Sequence, residues 1–135
     1  MVGMSAEITA VYGRLLDAWN AGDAEAAAVL FADGGLLIGF DGGQTGGVEV
    51  PAGGSYVAKV RRIRDDRLLY AIVGVVPPGS YDLDPALNAV HTVVVEDGKI
   101  VLFQSTPAKY MARPDLAASH NAELTPLLLT GDTLG

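Results

Sequence analysis

Residues Asn88 to Tyr110 read NAVHTVVVEDGKIVLFQSTPAKY, and this stretch decides the fold. Asp97-Gly98 is a strong two-residue turn signal with β-branched runs on either side, so the segment is predicted to be a β-hairpin. A two-residue loop sets Glu96 opposite Lys99. Carried back without interruption, that register sets His91 opposite Gln104 and Thr92 opposite Phe103. An imidazole and an amide in the middle of an apolar sheet are costly to bury unpaired. They are expected to bond each other or to line a hollow.

Working back toward the N-terminus, Leu68–Val76 and Tyr56–Arg64 also alternate as strands, joined by a tight connection near Asp65-Asp66. Pro77–Pro85, PPGSYDLDP, cannot continue a strand and is read as a shaped loop. Leu36–Phe40 reads as a further strand, entered by an Asp33-Gly34-Gly35 turn. It leaves through the loop DGGQTGG, Asp41–Gly47. Before these strands, Ile8, Val11, Tyr12, Leu15, Leu16 and Trp19 recur at helical spacing behind Ser5, a candidate N-cap. Gly13 weakens that helix by about 1 kcal/mol relative to alanine, which the apolar stripe outweighs. Asn20-Ala21-Gly22 ends it, and Asp23 caps a short alanine-rich helix over 24–31. Toward the C-terminus, 114–124 is expected to form a closing helix that Pro126 stops. Leu127–Leu129 are then extended, His120 is exposed and the final residues fray. Helices followed by successive strands make an α+β pattern. A curved antiparallel sheet closed by the helices would leave a pocket within it.

The chain has 135 residues, which fits a single domain spanning 1–135 with a real core. Half of its residues are apolar and its formal charge is −7. That balance argues against nucleic-acid or anionic-membrane partners, which reward positive charge. With no cysteine, disulfides, thiolate metal sites and cysteine nucleophiles are excluded. No signal peptide and no membrane-length apolar run is apparent, so a soluble cytoplasmic protein is expected. DGGQTGG lacks a P-loop lysine and the GxGxxG spacing, and no HExxH motif or ligand cluster points to a metal. Neither a cofactor nor a metal is expected.

The phrases LLDAWNAGDAEAAAVLFADGGLLIGFDG, YVAKVRRIR, VGVVPPGSYDLDPALNAVHTVVV and LFQSTPAKYMARPDL resemble the SgcJ/EcaC-type proteins. These sit in the SnoaL-like branch of the nuclear transport factor two-like superfamily. The match runs from about Ala10 to Leu116. The resemblance implies a cone-shaped α+β barrel (cystatin-like), with a bent sheet wrapped around a long first helix. It further implies a homodimer joined through sheet faces, and a cavity for a small hydrophobic ligand. Such proteins occur in enediyne and polyketide antibiotic biosynthesis, where the implied partner is a hydrophobic small molecule and conceivably an acyl carrier protein or polyketide synthase. An oxidoreductase label attaches to the family without a defined cofactor. Relatives carry a further helix before the YVAKV strand. Here only Val48–Ser55 separates Gly47 from Tyr56, leaving the cavity open on that side or closed by a mobile lid.

His91 is the candidate acid–base group. Its alternative role is structural, paired with Gln104, and the family resemblance places glutamine at this position in many members. Gln104 could orient a ligand carbonyl, or simply hold His91. Asn88 could line the cavity mouth or cap a turn. Tyr12, Trp19, Phe40, Tyr56, Tyr70 and Tyr110 would line an aromatic pocket with few polar handles, although each alone is also a normal core residue. SnoaL-type cyclases use a cavity carboxylate. No Asp or Glu sits mid-strand here, and Asp41 in its Asp-Gly-Gly turn is the nearest candidate. Lys59, Arg61, Arg62, Arg64 and Arg67 crowd five of the nine basic residues into one hairpin. This is either a solvated strand face or a docking surface for an acidic partner. Three functions remain open: a cavity protein that binds and shapes a polyketide or polyene intermediate, a cofactor-free isomerase or cyclase, and a non-catalytic dimerisation module.

Overall fold

The computed structural model describes residues 3–39, 44–45, 54–108, 110 and 112–134. Phe40, Asp41 and most of the 48–55 connection lie outside the described residues, and the expectations placed on them lie outside with them. Helix α1 spans Gly3–Ala21 and α2 spans Ala24–Ala28. Six strands follow: β1 Phe31–Ile38, β2 Gln44–Thr45, β3 Ser55–Arg64, β4 Leu68–Val76, β5 Ala89–Glu96 and β6 Lys99–Pro107. Helix α3, Pro114–Thr130, closes the chain. The strands form one curved sheet in the order β2-β1-β6-β5-β4-β3. It is mixed rather than wholly antiparallel, because β1 runs parallel to β6.

Helix α1 forms because its apolar residues fall on one stripe, and that stripe covers the inner face of the sheet. Ile8, Val11, Tyr12, Leu15, Leu16 and Trp19 are all buried. They pack with Leu69, Ala71, Val73, Val93, Val95, Ile100 and Phe103 from the strands in one cluster. Each large side chain fully buried there contributes roughly 1.5–3 kcal/mol, far more than Gly13 costs. The helix begins at Gly3, ahead of Ser5. Its depth against the sheet is set partly by Asp66, whose carboxylate accepts from the Ile8 N–H at 3.0 Å.

The hairpins turn where the sequence demands. Asp65 and Asp66 take φ of 53° and 55°, and Asp97 and Gly98 take 51° and 76°. These are the paired left-handed conformations of a type I′ turn. Beyond the second turn, the expected register fails. Glu96↔Lys99 and Val95↔Ile100 pair as predicted, but Val94 then pairs with Leu102, Thr92 with Gln104 and His91 with Ser105. Val101 is the extra residue of a β-bulge, and one such insertion slides every later pair by one. The Asp33-Gly34-Gly35 turn is likewise absorbed into β1. There the register with β6 jumps between Phe31 and Leu36. A Cβ on Gly35 would come within 2.8 Å of the Ile100 carbonyl oxygen, so only glycine lets β1 lie this close.

Three further expectations are overturned. Gln44 and Thr45 pair antiparallel with Ile38 and Leu37 instead of belonging to a free loop. Helix α3 continues through Pro126 to Thr130 and stops at Gly131, whose φ is 80°. Its apolar side chains recur on both sides of the proline, with Leu124 buried and Leu127 and Leu128 half-buried. The packing of that face outweighs the lost backbone hydrogen bond. Residues after Gly131 are pinned: the Ala58 N–H donates to the Thr133 carbonyl at 2.9 Å, and the Thr133 hydroxyl donates to Asp17 at 3.1 Å. Helix α3 lies on the outer face of the sheet, opposite α1. A Cβ on Gly74 would meet Leu83 at 2.7 Å and Leu124 at 2.9 Å, so this glycine lets α3 and the 77–84 loop seat closely on β4. Among the described residues no helix is long and apolar enough to cross a membrane.

Candidate functional site

Strand alternation puts His91 on the inner face with Ala89, Val93 and Val95, all four of them buried. The imidazole is 1% exposed and is surrounded by four rings from three elements. Phe103 of β6 meets it edge-on at 4.6 Å between centroids, Tyr12 of α1 at 5.9 Å, Trp19 of α1 at 6.2 Å, and Tyr56 of β3 stacks at 6.1 Å. Trp19 also contacts Phe103 at 5.1 Å and Tyr56 at 5.5 Å. Aromatic rings favour such edge-to-face and offset contacts because their faces are negative and their edges positive.

The polar chemistry within this box is sparse. The Tyr12 hydroxyl and His91 Nδ1 are hydrogen-bonded at 2.8 Å. Any second partner of His91 is therefore met through Nε2. Burial pushes the His91 pKa from 6.5 down to about 3. Burial, with Tyr56 nearby as a lesser cause, pushes the Tyr12 phenol well above 10.0. Both groups are neutral at physiological pH, so the pair exchanges one hydrogen bond and no charge. The Trp19 indole N–H, itself buried, has no acceptor among the described residues. A buried donor left unmatched costs roughly 1–3 kcal/mol.

Asn20 fixes the mouth of this box. Its Oδ1 accepts from the Tyr56 N–H at 2.6 Å and its Nδ2 donates to the Tyr56 carbonyl at 3.0 Å. One side-chain amide thus imitates a neighbouring strand and ties the start of β3 to the end of α1. The sequence reading gave Asn20 only a helix-ending role. Its donor-plus-acceptor chemistry was visible, but its partner 36 residues away was not. Phe103 also belongs to the box, whereas the uninterrupted register sets it opposite Thr92, on the other face from His91.

The remaining candidates part company. Gln104 pairs with Thr92 and Ile38 and so projects from the outer face. It neither holds His91 nor enters the box, and the one-residue slip at Val101 is the reason. Tyr110 also lies outside the box. Its hydroxyl is bonded to His120 Nδ1 at 2.9 Å, and His120 Nε2 lies 2.9 Å from the Val73 carbonyl oxygen. A carbonyl only accepts, so Nε2 carries a proton and donates. His120 is 5% exposed, contrary to the expectation of an exposed residue, because α3 docks on the outer face of the sheet and presses it against β4. Asn88 is 1% exposed, and neither end of its side-chain amide has a partner among the described residues. It follows the 3-10 turn Pro85–Leu87 and precedes β5 on the outward parity. Tyr12, Trp19, Tyr56 and His91 are therefore brought together, while Gln104 and Tyr110 are not. No three carboxylates or imidazoles converge as a metal site among the described residues.

No family model and no curated protein sequence matches the chain. Solved structures do. A Nostoc punctiforme domain of unknown function with a cystatin-like fold superposes with a TM-score of 0.72 at 19% identity, covering 96% of this chain and 97% of that one. The epoxide hydrolase/cyclase-like enzyme SalBIII, of pyran ring formation in the polyether salinomycin, superposes at 0.60 and 14% identity over 76% of this chain and 92% of its own. A Xanthomonas campestris protein provisionally named a polyketide cyclase superposes at 0.56 and 15% identity over 87% and 99%. At these identities the likeness speaks for architecture: the chain has the cystatin-like α+β fold, a curved sheet folded over its first helix.

Proposed function

We propose that this protein binds a hydrophobic polyketide- or polyene-type intermediate against the inner face of its sheet. It would act there as a cyclase- or isomerase-like protein of natural-product biosynthesis, of the SgcJ/EcaC type. The observation that carries this reading is the unmatched Trp19 N–H beside a neutral His91, inside a box of aromatic rings. An apolar molecule bearing a carbonyl or hydroxyl supplies the acceptor that the indole lacks. Tyr56, partly exposed at the edge of the box, gives contact area with Tyr12 and Phe103 packed behind it, and small-molecule sites are built in this way, mostly apolar with a few aimed polar groups. The cyclase-like chemistry of the SalBIII neighbour is compatible with it.

The role of His91 follows from its surroundings. A base whose conjugate acid has a pKa of about 3 abstracts protons weakly at neutral pH. His91 is accordingly assigned to orienting and polarising the ligand, and rate enhancement to confinement and positioning. A purely structural module has no use for an uncompensated indole donor in its core. The half-exposed Val90, Val94 and Leu102 on the outer face suit the homodimer that belongs to the same reading.

Native mass spectrometry of the protein purified from its own host tests the proposal. A co-purifying apolar species of a few hundred daltons, lost in His91→Leu and Trp19→Phe proteins, is the expected result. Trp19 is the chain's one tryptophan. Titration with a conjugated tetraene fatty acid should therefore quench its emission directly. Absence of both signals refutes the assignment.

A further inference from the structure

On the outer face, a cleft of about 520 Å³ lies between α3 and strands β3 and β4. Its floor is apolar and aromatic, with Tyr70, Ile72, Tyr110 and Leu116, and its wall is cationic, with Lys59, Arg61 and Arg62. Consecutive strand residues normally point to opposite faces. Here the pairing of β3 with β4 skips from Val60 to Arg62. Arg61 is thus the extra residue of a β-bulge, which lets Arg61 and Arg62 both reach the cleft beside Lys59. Glu123 is the acidic residue on the lining, and it is engaged with Arg61. Among the described residues the lining therefore carries two positive charges in excess, on a chain whose net charge is −7. The back of the cleft is rigid, since Tyr110 is held by His120 and His120 by the Val73 carbonyl.

We propose that this cleft is a second binding site, separate from the aromatic box, for a small organic anion with a flat apolar body, such as an aromatic carboxylate. Tyr70, Ile72 and Leu116 receive the body, while Lys59 and Arg62 receive the charge. Tyr70 and Leu116 are 39% and 40% exposed, so the apolar floor is open to a ligand. The volume lies in the range of small-molecule sites. Three of the chain's nine basic side chains converge here around aromatic surface, and that combination recognises an anion with an apolar body in preference to a bare ion. Arginine, with its planar fork and weak hydration, is suited to both parts of such a ligand.

The test uses 2-naphthoate, the neutral isostere 2-naphthalenemethanol and inorganic phosphate, each titrated into the ¹⁵N-labelled full chain. Expected is saturable 2-naphthoate binding with shifts centred on Lys59–Arg62, Tyr70 and Leu116–His120. Binding should weaken about tenfold in Lys59→Gln/Arg62→Gln and fall in 0.5 M NaCl. The alcohol and phosphate should each bind at least tenfold more weakly. Trp19→Phe should leave the affinity unchanged, which separates this site from the box on the inner face. Equal binding of acid and alcohol, unchanged affinity in the double variant, or shifts centred on Trp19 and His91 would each overturn the proposal. Phosphate binding as tightly as naphthoate would overturn it too, by removing the role of the apolar floor.

Discussion

Acid should unfold this protein through His91. The imidazole is fully enclosed, and burial lowers its pKa from 6.5 to about 3. Between those values the unfolded chain binds a proton that the native chain does not. Stability therefore rises with pH across that window, and is lost as pH falls through it. At pH 5 the native imidazole is still neutral, whereas the unfolded one is almost wholly protonated. One pKa unit corresponds to about 1.4 kcal/mol, so lowering pH from 7 to 5 costs about 2 kcal/mol through this one residue. Urea unfolding followed by far-ultraviolet circular dichroism measures this at both pH values, in the native protein and in His91→Gln. Glutamine does not titrate, and every other titrating group is shared by the two proteins. The native protein should lose about 2 kcal/mol more than the variant between pH 7 and pH 5, whatever their separate stabilities. Equal losses would refute the reasoning, because they would mean that the imidazole takes up its proton without leaving the fold. The His91 Hε1 resonance, assigned by its absence in the variant, should show no titration above pH 5.

Replacing Asn20 by Ala should destabilise the fold by roughly 1–3 kcal/mol, since it strips the partners from both backbone groups of Tyr56; Asn20→Asp, which keeps only the acceptor, should fall between the two in thermal melts. Pro126→Ala should stabilise the protein by about 1–3 kcal/mol. Alanine restores an N–H inside α3 at an exposed position, and no gain in urea midpoint would mean that the helix does not run through residue 126.

Where the reading of the sequence succeeded, the signal was local and repeated. The apolar stripe of α1, the β-branched alternation of β3 to β5 and the Asp-Gly turn each restate one instruction several times within ten residues or so. An element assembled from such signals tolerates a misread residue. Register does not, because it accumulates. Asp97-Gly98 specified the first two pairs of the β5–β6 hairpin. Val101, an unremarkable β-branched residue, then inserted itself and moved Gln104 to the other face. Nothing in LFQSTP marks that bulge, since its cause is the need of β6 to pair with β5 on one side and with β1 on the other. The same logic explains α3. Pro126 is a strong local stop signal, but the helix through it packs on β3, β4 and the Pro85–Leu87 turn, which lie far earlier in the chain.

The site shows the same division between local and assembled information. His91 was legible as an anomaly, a titratable group at an inward position of a buried strand. Its meaning was not, because the groups that set its pKa arrive from α1, β3 and β6. Tyr12 takes its Nδ1, Phe103 and Trp19 meet it in edge contacts, and Asn20, without touching it, positions Tyr56, which stacks on it. Exchanging a solvated imidazole for one enclosed by rings converts a candidate base into a neutral hydrogen-bonding group. The candidate base of the sequence is thereby held neutral by its burial. Among the described residues the fold leaves the Trp19 N–H unmatched on that face, and it is a donor, so under the proposed reading the ligand brings an acceptor, whatever bonds it goes on to make.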